Sequence, residues 1–132
     1  MAAGTTPIFV ATPKSAGVIL TATANTNRDG ATGTYTTLYT AGANGAFFKG
    51  FRWQCGTSNG NNTAGAVRLF IGAVLLYEAM VPATTFSAGV TPSASGEWYP
   101  PGGIVLTASD VAKCNTHIGE LFSCWLVGGG DY

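Results

Sequence analysis

The stretch GAVRLFIGAVLLYEAMV, residues 65–81, decides the fold class, because it is strongly apolar and is the one place where helix formers gather. Leu75, Leu76, Glu78, Ala79 and Met80 would suit a helix. The residues before them are branched or aromatic, and they alternate. Val67, Leu69 and Ile71 share one face of an extended chain, while Arg68 and Phe70 share the other. In AVLLYEAM only Glu78 asks for water. The spacing therefore predicts two strands here, the second apolar enough on both sides to lie centrally or under a neighbouring subunit.

Working outward, the same pattern recurs about every ten residues. Runs rich in Val, Ile, Thr, Tyr, Phe and Trp begin at Ala16, Thr34, Ala46, Gly103, Lys113 and Leu121, with a weaker one around Glu97 to Tyr99. Clusters of Gly, Asn, Ser and Pro separate them: GANG at Gly42–Gly45, GTSNGNNTAG at Gly56–Gly65 and PPGG at Pro100–Gly103. Elsewhere no window joins good helix formers to apolar spacing of three and four. The expected class is all-β, a single-domain antiparallel sandwich or barrel of about eight strands with little or no helix. In LFSCWLVG, Phe122, Cys124 and Leu126 share one face, and Leu121, Ser123, Trp125 and Val127 the other. Trp53 and Trp125 sit in apolar strands and are expected in the core. Residues 1–14 form an extended N-terminal arm, since two prolines flank the apolar trio Ile8, Phe9 and Val10. The arm packs on its own domain or reaches a neighbour. Residues 15–132 form the sandwich domain.

At 132 residues the chain is one domain long and buries enough surface to need no staples. Only 9% of its residues are charged, against about a quarter in average proteins, and six basic residues cancel six acidic ones. A surface so poor in charge tends to associate, so the chain reads as a subunit of something larger. The neutral balance also removes the basic footprint of a nucleic-acid binder. The start lacks the basic and apolar regions of a secretory leader, and no apolar run is long enough to cross a bilayer. Folding in the cytosol, with no membrane partner, is the expectation. Cys55, Cys114 and Cys124 show no CxxC spacing and read as free buried thiols. A bridge from Cys114 to Cys124 across a hairpin is the alternative, and it leaves Cys55 alone.

Asn25, Asn27 and Asp29 before Gly30 mimic the opening of a calcium loop, but the twelfth position is Thr36 rather than a carboxylate. A structured loop fits better, because Asn and Asp bond their own backbone, and Arg28 or Asp29 can pair with a neighbouring strand. His117 stands three residues from Cys114, and an odd offset puts the two on opposite faces of a strand. Asp29, Glu78, Glu97, Asp110, Glu120 and Asp131 are scattered singly, so no acid/base pair is visible. Gly128–Gly130 precede no helix and cradle no phosphate. Neither catalytic, metal nor cofactor residues are expected. Trp98 and Tyr99 are the exposed aromatic candidates, for a subunit contact or a glycan, with core packing as the alternative.

The segments TATANTNRDGATGTYTTLYTAGANG, GAVRLFI and the final GGGDY together resemble a group of small virion-associated proteins of tailed bacteriophages. The resemblance runs from Ala22 onward. It implies a jelly-roll-like sandwich that decorates or cements the capsid surface, commonly as a homotrimer touching the major capsid protein. A tail or head-spike-base component, or a carbohydrate-binding surface module, is the alternative. The interface would then use Ile8, Phe9, Val10, Trp98 and Tyr99.

Overall fold

The computed structural model describes residues 10–14, 16–20 and 23–132. Every regular element among them is a strand. They are β1 (Thr12–Pro13), β2 (Ala16–Ile19), β3 (Thr36–Thr40), β4 (Ala46–Phe48), β5 (Gly50–Cys55) and β6 (Gly65–Ile71). After these come β7 (Val74–Val81), β8 (Ser95–Trp98), β9 (Ile104–Leu106), β10 (Val111–Thr116), β11 (Phe122–Val127) and β12 (Gly130–Asp131). Residues 65–81 form the β6–β7 hairpin, so the helix formers of Leu75–Met80 are overridden by pairing and burial.

All pairings are antiparallel, in the orders β1-β12-β4-β9, β2-β11-β5-β8 and β3-β10-β6-β7. The first two orders are the same order continued along the chain, for β1 runs into β2, β4 into β5, β8 into β9 and β11 into β12. They are two halves of one bent sheet. At the bend the Lys49 and Lys14 N–H groups still reach the Val127 and Gly129 carbonyls, at 2.9 and 3.0 Å. Gly128 takes φ +70° there, and a Cβ on Gly129 would fall 1.7 Å from the Phe47 carbonyl oxygen, so the strands close up only over glycine. Counting each bent strand once gives eight, ordered 1-8-3-6 in one sheet and 2-7-4-5 in the other. That is the double Greek-key order of a jelly roll. The twelve short strands are thus the expected eight, interrupted.

The sheets face each other across an aromatic core. Phe48, Phe51, Phe122 and Leu69 are almost wholly buried in it. Tyr39 meets Phe48 edge-on at 4.9 Å, and Phe51 meets Tyr77 at 5.9 Å, each contact joining one sheet to the other. Burying one such side chain contributes about 1.5–3 kcal/mol. All three cysteines are free and buried. Cys114 and Cys124 belong to opposite sheets rather than to one hairpin, and burial, then contact with Cys124, pushes the Cys114 thiol well up.

Of the expected arm, Ile8 and Phe9 lie outside the described residues. Thr12 and Pro13 pair in register with Asp131 and Gly130. Pro13 sits on an edge strand, where a missing N–H is tolerated.

Candidate functional site

The loop between β2 and β3 lies across the outer face of the β3-β10-β6-β7 sheet and strides over Arg68, which is only 3% exposed. Alternation sends Arg68 away from the core, and the hairpin partner supplies its counter-charge: Arg68 Nε donates to Glu78 Oε2 at 2.6 Å. One terminal nitrogen donates to the Asn25 carbonyl at 3.1 Å, and the other meets His117 Nδ1 at 2.7 Å. A guanidinium only donates, so Nδ1 must accept and the ring proton resides on Nε2. The second Glu78 oxygen takes Arg28 from the loop at 2.9 Å. Asn115 Nδ2 donates to the Asn27 carbonyl and Lys113 Nζ to the Gly30 carbonyl. The Lys113 cation also stands 4.6 Å from the Tyr35 ring, which meets Phe70 edge-on.

The Asn25 and Asp29 oxygens that resemble metal ligands are consumed inside this strap. Asn25 Oδ1 accepts both N–H groups of Asn27 at 3.0 Å, while Asn25 Nδ2 donates to the Thr32 and Thr34 carbonyls. Asp29 accepts the Thr32 hydroxyl, the Thr32 and Ala31 amides and the Tyr35 hydroxyl. These bonds, the Thr32 hydroxyl first, hold its carboxyl well below the usual range. Among the described residues no three His, Cys, Asp or Glu side chains come together. Arg28 and Asp29 pair as a structured loop requires, one with a strand and one with its own turn.

The other chemical candidates stay apart. Cys114 points into the core while His117 is held by Arg68 on the outer face. Each acid has its own local duty: Asp110 takes the Thr107 amide and hydroxyl, Glu120 those of Thr63, and Glu97 the Tyr99 hydroxyl. Asp131 binds the Tyr39 hydroxyl at 2.5 Å and the Gly42 amide at 3.0 Å. The Tyr39 bond holds the Asp131 carboxyl low, while burial and then Asp131 push the Tyr39 phenol up to about 12.

The aromatic candidates separate. Trp98 stacks on Tyr77 with centroids 4.8 Å apart and joins the core, whereas Tyr99 stays 52% exposed. Trp53 is in the core as expected. Trp125 is not: it lies half-buried on the outer face beneath the Arg52 guanidinium, because its neighbour Cys124 takes the inward position. Val10 lines a hollow of about 590 Å³ with Pro13, Phe47 and Tyr132.

Two surfaces escaped the sequence reading. One is an apolar groove of about 600 Å³ along the open edges of the sheets, where the β6–β7 hairpin, β8 and β9 bring Ile71, Val74, Leu76, Trp98 and Val105 together. The other is a polar hollow at one end of the sandwich, between the loops that follow β5, β7 and β10. The run GTSNGNNTAG carried the signal for the second, as an excess of amides and hydroxyls over what a turn needs. The chain matches no protein-family model, no curated protein and no solved structure.

Proposed function

We propose that this chain is a non-catalytic structural subunit that works by packing against copies of itself and against a larger assembly. The observation that carries this reading is the flank formed by β7 and β9. Val74 is 65% exposed and Val105 59%, with Leu76 beside them in the groove, and Asp110 is the one charged residue among the described residues lining it. β7 is a long edge strand with neither lysine nor proline to discourage pairing. A flank of this kind favours association, as does the low charge of the whole chain.

The resemblance of NTNRDGATGT and GGGDY extends the proposal to a head decoration or cement protein of a tailed bacteriophage. In that role a homotrimer bridges neighbouring major capsid subunits on the virion surface. Many modest contacts repeated over a lattice gain strength together, so no single one need be tight. Light scattering on the purified chain tests the first step, and a stable monomer at high concentration sinks it. Co-sedimentation with capsids that lack decoration tests the second. A trimer that leaves such capsids in the supernatant removes the cement role and points to the tail or spike base.

A further inference from the structure

The polar hollow at the loop end is a built site, and its lining selects one ligand chemistry. Thr57, Ser58, Asn59, Asn61 and Asn62 come from the β5–β6 loop, Thr84 and Thr85 from the β7–β8 loop, and Glu120 from the β10–β11 loop. They line a shallow hollow of about 630 Å³, open to solvent. Glu120 is the one charged side chain in this lining, so an anionic ligand meets repulsion with no cation to offset it. An apolar ligand would desolvate a wall of hydroxyls and amides without replacing their hydrogen bonds. A neutral ligand rich in hydroxyl groups suffers neither cost.

The walls are held in place before any ligand arrives. Asn62 and Thr84 exchange backbone hydrogen bonds at 3.0 and 2.9 Å, and Asn62 Nδ2 donates to the Pro82 carbonyl. The Thr57 hydroxyl donates to the Asn61 carbonyl at 2.7 Å, and Glu120 clasps Thr63 from the third loop. Asn61 Oδ1 accepts the Phe86 amide at 2.8 Å, and the Phe86 ring, 44% exposed, packs against Gly60 and lines the adjoining depression with Val90 and Thr91. Ser58 and Thr85 hydroxyls, and the Nδ2 groups of Asn59 and Asn61, make no hydrogen bond among the described residues. A fixed amide wall beside an exposed aromatic face matches a pyranose, whose hydroxyls project around its edge and whose C–H groups form an apolar face.

We propose that this hollow binds a neutral saccharide, with the free hydroxyls and amides bonding its edge and Phe86 packing against its C–H face. The proposal does not depend on the capsid role or on the oligomeric state. Loops at one end of a rigid sandwich are where such a site is readily carried.

The test is a titration of ¹⁵N-labelled protein with short neutral oligosaccharides of glucose, galactose, mannose or rhamnose. Concentrations run to about 10 mM, above the roughly 1 mM dissociation constant of one shallow site. Expected are shifts of the Asn59 and Asn61 side-chain amides and of the Phe86 backbone amide, with no response to a sialylated sugar. Phe86→Ala should weaken binding about tenfold, and Thr85→Val should weaken it while keeping the loop's shape. Both variants must keep the parent spectrum elsewhere and the parent mass in light scattering. A neutral polysaccharide presented to the same protein separates a polymer source from a free sugar, and binding to either supports the site. No shift with any neutral sugar overturns the proposal, as does a response confined to the Trp98–Tyr99 region or unaltered by Phe86→Ala.

Discussion

Two sides of one sandwich solve the problem of exposure in opposite ways. On the outer face of β3-β10-β6-β7 the chain covers itself: the strap from Asn25 to Thr34 closes over Arg68 and Phe70 and ties its carbonyls to Arg68, Lys113 and Asn115. Along the β7–β9 edge nothing in the described chain covers Val74, Leu76 and Val105. The strapped face ties its few charges into its own fold, while the bare edge carries one acid, Asp110, bonded to Thr107. The difference shows how so small a set of ions is distributed: buried cations need fixed partners, whereas an apolar edge needs only a complementary surface.

The largest effect on folding should come from cutting the strap's anchor. Arg68→Met leaves Glu78 facing only the exposed Arg28, and strips a donor from the Asn25 carbonyl and from His117 Nδ1. Removing one partner of a buried ionic cluster costs about 3–5 kcal/mol. Urea denaturation should show that loss, and the double variant Arg68→Met/Glu78→Leu should recover part of it, since the stranded carboxylate goes too. A loss below about 1 kcal/mol would mean that the strap does not depend on this residue.

Gly30→Ala acts on the same face with less force. Gly30 sits at φ +70°, and a Cβ there would meet the Ala73 backbone at 2.5 Å, in the turn between β6 and β7. The left-handed conformation alone costs about 1–2 kcal/mol for a residue with a side chain. Amide exchange should speed up across residues 25–34 and stay slow in β5 and β11, because the strap opens without unpacking the core.

Much of this architecture is legible in the residues. The alternation of Val67, Leu69 and Ile71 against Arg68 and Phe70 gives the two faces of β6, and glycine-rich punctuation gives the strand spacing. What burial did to the second face was not legible, because the cover comes from a loop some forty positions away. Trp125 shows the same limit: its strand is apolar on both sides, and only the pairing of Cys124 with Trp53 and Val18 fixes which side is inward. Trp98 and Tyr99 look alike in sequence, yet strand direction sends one to Tyr77 and leaves the other in solvent. The polar hollow needed three loops brought together, and no local pattern states that.

Acid should test strap and terminus together. Asp29 and Asp131 both have carboxyls lowered by hydrogen bonds, from Thr32 and Tyr39 respectively. A carboxyl lowered by folding contributes stability above its unfolded value of about 3.9 and loses it as pH falls below that value. The unfolding temperature should therefore fall as pH drops below about 4, and Asp29→Asn or Asp131→Asn should flatten that slope. The Tyr39 phenol works at the other end: raised to about 12, it contributes stability that is complete below about 10 and lost as pH climbs from there to 12. Tyr39→Phe should remove this alkaline loss. An unchanged slope in any of the three variants would show that its bond does not persist in solution.

The bare edge should give the smallest change in folding and the clearest change in assembly. Val74 and Val105 are mostly exposed, so Val74→Lys with Val105→Lys removes little buried area and should shift stability by no more than about 0.5 kcal/mol. The same two lysines put like charges at the centre of any contact made through this flank, in a setting where desolvating them has no compensation. Light scattering should then report a monomer where the parent associates, with the urea midpoint unchanged. If the doubly substituted chain keeps the parent mass, the edge is not the contact. If it unfolds, Val74 and Val105 support the core, and the contrast between a self-covered face and an open one no longer holds.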